Sequence, residues 1–175
     1  MVFQAGTLLV LQVAFAVGAM AQTADEYQVK AAFLYNLAKF VEWPAETFKT
    51  AKDPIVICIL GRSPITEVLQ STVSGKAVEG RTLVIRPVAG AQPLNSCQIF
   101  FVSSSERTRF RSIHAEIKAN GVLTVGEEDT FISEGGAVNF KLDDGRVRIQ
   151  IAVYAATQRN LKISSKLLGL AQIVK

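Results

Sequence analysis

Histidine is nearly missing from this sequence: His114 is the only one in 175 residues. A zinc site built on imidazoles is thereby excluded, and any histidine-assisted nucleophile would have to rest on that one residue. No serine or cysteine beside it in sequence makes a nucleophile pair. Its neighbours Arg107, Arg109, Arg111 and Lys118 are basic, so a structural histidine is expected. The three arginines fall two apart and would spread around a helix as a solvated surface. Cysteine is almost as scarce. Cys58 and Cys97 stand 39 positions apart, too far for a CxxC redox or metal pair. Spaced glycines are lacking as well: Gly61-Arg62-Ser63-Pro64 offers no close backbone approach to a pyrophosphate, and no P-loop lysine follows it. The apolar run at residues 55–60 ends without an aspartate, which excludes a receiver-type phosphoacceptor. No catalytic, metal-binding or cofactor-binding set emerges, and the chain reads as a protein that is not an enzyme and carries no cofactor.

Charge is missing from one stretch entirely. Residues 1–21 hold no ionisable side chain, carry an apolar run over 8–17 interrupted only by Gln12, and finish in Ala19-Met20-Ala21. Those small residues fit a signal-peptidase site, which predicts cleavage after Ala21 and a mature domain over 22–175. The run is short against the roughly 20 residues a membrane-spanning helix needs. Export is therefore expected over anchoring, with a product that does not span the membrane. No proline-, glycine- or serine-rich linker and no repeat divides the remainder, so one domain is expected. The net charge of +4 and pI near 9.2 belong to that mature part. An exported domain rarely meets nucleic acid, and no nucleic-acid partner is expected.

What is present is a pattern of alternating elements. Over residues 27–44, Val29, Ala32, Phe33, Leu37, Phe40 and Val41 recur three and four apart, as on one face of a helix. Thr23 with Glu26 has capping-box spacing at its start, and Trp43-Pro44 marks its end near Glu42 or Trp43. Ile55-Val56-Ile57-Cys58-Ile59-Leu60 reads as a central strand apolar on both faces. Ser63 is placed to cap a helix opened by Pro64, with Ile65, Val68, Leu69 and Val73 inward. Residues 82–85, ended by Pro87, form a second expected strand, and 99–102 a third. Serines 103–105 then cap a helix carrying Phe110, Ile113 and Ile117, and 122–125 is a fourth strand. Glu127-Glu128-Asp129 suggests the cap of a short helix around Phe131. Two period-two runs, 137–142 and 146–151, flank Asp143-Asp144-Gly145, a strong hairpin signal. Two helical stretches, 153–161 and 164–174, close the chain, the second capped by Ser164 or Ser165. The expected fold class is α/β: a single-domain three-layer sandwich with a mixed, mostly parallel sheet of about six strands, a C-terminal antiparallel hairpin and helices on both faces.

Three blocks, VKAAFLYNLAKFVEWP behind an export leader, PIVICILG, and NLKISSKLLGLAQIVK at the C-terminus, resemble the YfiR/HmsC-like family of small periplasmic bacterial proteins. The resemblance covers essentially the whole mature chain. It implies a periplasmic, non-enzymatic regulator that binds the periplasmic region of an inner-membrane diguanylate cyclase and holds it inactive, lowering cyclic di-GMP and biofilm output. A sensor kinase is an alternative partner, and a homodimer is suggested by relatives. A periplasmic small-ligand sensor or transport accessory of the same fold is the competing function.

In an oxidising compartment an even cysteine count points to a bridge. Cys58 lies in the first strand and Cys97 just before the third, and those strands are neighbours in a sheet of order 2-1-3. Closing that loop would stabilise by about 4 kcal/mol on the chain-entropy model. The family resemblance points to the same disulfide; two unpaired buried thiols are the alternative. Candidate partner contacts are Trp43, an amphipathic anchor, and Lys162 and Lys166, against the alternatives of core packing for Trp43 and plain solvation for the lysines. A ligand cleft, if the sheet has one, would lie at Gly61, Arg62, Ser103, Ser104 and Ser105, beyond the strand C-terminal ends.

Overall fold

A computed structural model describes residues 7–90, 94–117 and 121–175. The first helix, α1, spans Thr7–Phe40 and runs without a break through Thr23, where a start was expected. Residues 7–22 contain no proline, so none of them breaks the helix. The first six residues of the expected leader lie outside the described residues. Among the described residues, no helix is long and apolar enough to cross a membrane.

The buried side of α1 is turned by about one residue from the expected stripe. Lys30, Ala31, Leu34, Leu37 and Ala38 are buried, whereas Val29 is 42% exposed and Ala32 is exposed. Ala31 and Ala38 let the helix approach its neighbours closely, leaving Phe33 and Phe40 half-buried at the flanks. The Phe33 ring stands 6.0 Å from Phe140.

After α1 comes a two-residue strand, β1 (Val41–Glu42). The strands that follow are β2 (Ile55–Leu60), β3 (Ala77–Val78), β4 (Arg81–Val88), β5 (Ile99–Val102), β6 (Leu123–Gly126), β7 (Val138–Asp143), β8 (Arg146–Ile151), β9 (Lys162–Ile163) and β10 (Gln172–Ile173). The main sheet has eight strands, in the order β10-β8-β7-β6-β5-β2-β4-β3. Its centre, from β4 to β7, is parallel; β8 is antiparallel to β7, and β3 to β4. The two strands beyond the expected six, β3 and β10, are two residues each, too short to leave a pattern.

β2 and β5 occupy the expected residues, and all their side chains are buried. The hairpin β7–β8 turns on Asp144 and Gly145, both at positive φ, as a two-residue turn of the primed type requires. Three expectations need correction. β4 continues through Pro87, because among the described residues it has no neighbour beyond Thr82 on the side away from β2, where proline costs no ladder bond. The C-terminal stretches yield only α4 (Val153–Thr157) and α5 (Ser165–Leu168), because 162–163 and 172–173 pair with strands β1 and β8. Ser164 does cap α5, its hydroxyl accepting from the Lys166 amide. No helix forms around Phe131; residues 129–135 make turns, and Glu127 is drawn into an ion pair.

The crossovers β2–β4 and β5–β6 move in opposite directions, so α2 (Ile65–Val73) and α3 (Phe110–Glu116) lie on opposite faces. One core joins α1 and α2 to the sheet through Leu34, Leu37, Ile57, Leu69, Phe101 and Phe140. The other, smaller core holds Cys58, Cys97, Phe100, Phe110 and Phe131 under α3. The Phe110 and Phe131 rings stack at 4.0 Å.

Candidate functional site

Two ends of the sheet present themselves. The strand order places the topological switch point between β2 and β5, the position where open α/β sheets admit ligands at the strand C-terminal ends. The structure brings Gly61, Arg62, Ser103, Ser104 and Ser105 together there. Their polar groups bind one another. The Arg62 amide donates to Ser105 Oγ at 3.2 Å, and the hydroxyls of Ser103 and Ser105 are 2.7 Å apart. Gly61 has φ +87, and a Cβ on it would collide with Ser103, Ser105 and Glu106, so only glycine fits.

A clasp from α1 closes the same end. Glu127, just past β6, accepts from the Ser104 amide at 2.9 Å and from Lys30 Nζ at 2.6 Å. Lys30 also pairs with Glu26 at 2.5 Å. The side chains of Lys30 and Glu127 are 5% and 3% exposed, so this is a buried pair. Burial alone would lower the Lys30 pKa; the charges and hydrogen bonds of Glu127 and Glu26 overcome it and raise the ammonium above its ordinary value.

The opposite end is open. β1 pairs antiparallel with β9, setting Glu42 opposite Lys162. That ribbon brings together two of the expected partner residues, Trp43 and Lys162, with exposed Lys166 on the following α5. Trp43 is half-buried and its Nε1 donates to the Gln98 carbonyl at 3.3 Å. Gln98 is itself buried, and its side-chain oxygen accepts from the Val56 amide at 2.7 Å. The indole is thus fixed to the residue adjoining Cys97.

Beside Trp43 is a cavity of about 560 Å³ lined by Lys39, Phe40, Phe48, Glu79, Arg81 and Ser164, among others. Arg81 lies over the Phe48 ring at 3.8 Å and donates to the carbonyls of Thr50 and Asp53. Phe48, Lys39 and Arg81 were not singled out from the sequence. They come from three separate elements, and only β1–β9 pairing and the β3–β4 hairpin assemble them.

The structure joins Cys58 and Cys97 in a disulfide, Cα–Cα 5.8 Å. Cys58 sits on β2, the neighbour of β5, and Cys97 lies two residues before β5 begins. His114 is half-buried, 3.2 Å from an Arg159 guanidinium nitrogen, and burial followed by the Arg159 charge pushes its pKa down. No serine or cysteine is placed with it as a nucleophile in these contacts. Among the described residues, no group of acidic, histidine or cysteine side chains is placed to hold a metal ion.

A family model described as YfiR/HmsC-like matches residues 27–172. No curated protein matches the chain. Among solved structures, an ABC domain from Streptococcus pneumonia in complex with L-Trp is similar at 10% identity and TM-score 0.50, over 69% of this chain. A conserved domain protein from Vibrio cholerae is similar at 12% identity and TM-score 0.47, also over 69%. The chain spans 55% and 54% of the lengths of those two. At such identities the first likeness shows an α/β fold and nothing further.

Proposed function

From the premise that this chain belongs to the YfiR/HmsC-like family, matched over residues 27–172, we propose that it is an exported regulator that represses a membrane diguanylate cyclase by binding its periplasmic region. The family is periplasmic and regulatory rather than catalytic. Residues 1–21 act as a cleaved leader in this reading, and 22–175 as the working domain. Binding one conformational state of the cyclase shifts its population toward the inactive form and lowers cyclic di-GMP. The observation that carries the reading is a family match spanning nearly all of the mature chain.

The contact surface in this reading is the open end: Trp43, Lys162 and Lys166. Trp43 combines a large apolar ring with a fixed orientation, the properties of an interface anchor. The opposite end fits less well, because Gly61, Arg62 and Ser103 to Ser105 are tied to each other and to the α1 clasp. One observation favours a second reading as a small-ligand sensor: the cavity beside Trp43 has the size of a ligand site.

The test is recovery of a cyclase from membranes on the immobilised processed protein, followed by measurement of its cyclic di-GMP synthesis in proteoliposomes. Recovery with reduced synthesis supports repression. No cyclase recovered, together with thermal shifts produced by small ligands alone, would move the assignment to the sensor.

A further inference from the structure

The outer edge of β4 is the longest strand edge the sheet leaves without a partner at that end. β3 covers only Arg81 and Thr82, and among the described residues no strand pairs with 83–88 on the side away from β2. The β3–β4 turn is a two-residue one, with Glu79 and Gly80 at φ 51 and 79, so Val78 and Arg81 exchange both backbone hydrogen bonds. Backbone groups alternate in direction along a strand. Those of Arg81, Leu83, Ile85 and Pro87 therefore point to the outer side. The same rule holds at the other hairpin, where Ile151 faces outward and its carbonyl accepts from Val174. Pro87, which has no N–H, falls on this outer side, where none is needed. Leu83 and Ile85 are left presenting their amides and carbonyls.

The edge has pockets and charge to go with it. A cavity of about 450 Å³, lined by Gln70, Val73, Lys76, Ala77, Leu83 and Ile85 among others, runs along it beneath α2. Val84 is 37% exposed on the other face. Between Ser74 and Val88 stand three cations, Lys76, Arg81 and Arg86, against one carboxylate, Glu79. They are held in place: Lys76 lies 4.8 Å over the Tyr35 ring, and Arg86 donates to Ser96 Oγ at 2.7 Å. Glu79 and Arg81 also line the cavity beside Trp43, so the edge and the proposed contact surface are continuous.

We infer that the β4 edge accepts an extended acidic segment of a partner protein as an added strand, hydrogen-bonded to Leu83 and Ile85, with its apolar side chains toward the cavity beneath α2 and its carboxylates on the other face, toward Arg86. Main-chain bonding supplies affinity in such additions, and the flanking pocket and charges supply selectivity. This deepens the reading above only in naming the surface and the kind of segment that meets it.

The test uses the processed full chain and a blocked heptapeptide alternating valine and glutamate. Amide exchange at Leu83 and Ile85 should slow about tenfold or more with the peptide. Replacing its glutamates by lysine should weaken binding about tenfold. N-methylating the peptide amides on the edge-facing side should abolish binding, while methylating the alternate set should leave it intact; the protein itself is unaltered in both arms. Equal loss from both methylated peptides, or no change in exchange at Leu83 and Ile85, would overturn the inference. So would light scattering that shows a dimer whose Leu83 and Ile85 are already protected without peptide, since a second copy would then own the edge. Slowed exchange with the peptide, but no cyclase recovered from membranes, would sustain this inference while overturning the reading above.

Discussion

The two ends of the sheet are built to opposite plans. At the strand C-terminal end, Lys30, Glu26 and Glu127 form a buried ionic clasp, Ser105 after β5 binds the Arg62 backbone, and the Ser103 and Ser105 hydroxyls leave no room for a side chain at Gly61. At the other end a two-stranded ribbon, β1 with β9, frames an open cavity with Trp43, Phe48 and Arg81 on its walls. The usual ligand position of an α/β sheet is thus closed by its first helix, and the accessible aromatic and cationic surface lies at the reverse end. Fold alone points to the clasped end, whereas the open cavity with Trp43, Phe48 and Arg81 lies at the other.

The largest effect expected from disturbing this division is on the clasp. Lys30→Met leaves Glu127 buried without its cation and should destabilise the protein by about 3–5 kcal/mol in urea unfolding. Lys30→Met with Glu127→Gln should recover part of that. Binding of the partner at the Trp43 end should survive in whatever fraction remains folded. A loss below about 1 kcal/mol would mean that the clasp contributes little to closing its end.

Next comes the bridge. Cys58→Ala with Cys97→Ala should cost about 2–4 kcal/mol, measured without reductant. Because Gln98 adjoins Cys97 and accepts from the Trp43 indole, Trp43 fluorescence should change in the folded double variant. Two free thiols in the denatured, unreduced wild-type protein would remove the bridge from the account.

Trp43→Phe keeps the ring's apolar contact but removes the hydrogen bond to the Gln98 carbonyl, and should cost about 1 kcal/mol of stability. The smallest effect belongs to His114, in the last turn of α3. Its folded pKa lies below the unfolded value of 6.5, so the unfolded chain binds the proton more readily. Stability is then complete above that value and is lost as pH falls through the folded pKa. Urea midpoints of wild type and His114→Gln, compared from pH 7.5 to 5, should diverge only in the acidic part of that range.

How far this division could be read in advance depended on the residue type. β2, β5 and the Asp144-Gly145 hairpin were legible because an unbroken apolar run and a turn dipeptide are local signals. Lys30 was not, because a lysine reads as exposed until a carboxylate 97 positions away is known to meet it. The same long-range pair took Glu127 away from the helix cap expected of it. Pro87 was read as a stop, since the sequence does not say that β4 lies at the edge. The C-terminal helices shrank because Lys162–Ile163 and Gln172–Ile173 found strand partners, a tertiary override of local propensity. At the candidate surface, Trp43 and Lys162 could be named singly, whereas Phe48 and Arg81 join them only through the pairing of distant strands.

The division of the two ends is tested most directly by hydrogen exchange on the processed protein with and without the periplasmic region of a cyclase it recovers from membranes. Slowed exchange should appear at Val41 to Trp43, around Lys162 to Lys166 and along β4, with Gly61, Arg62 and Ser103 to Ser105 unchanged. Slowing confined to those last five residues would contradict it.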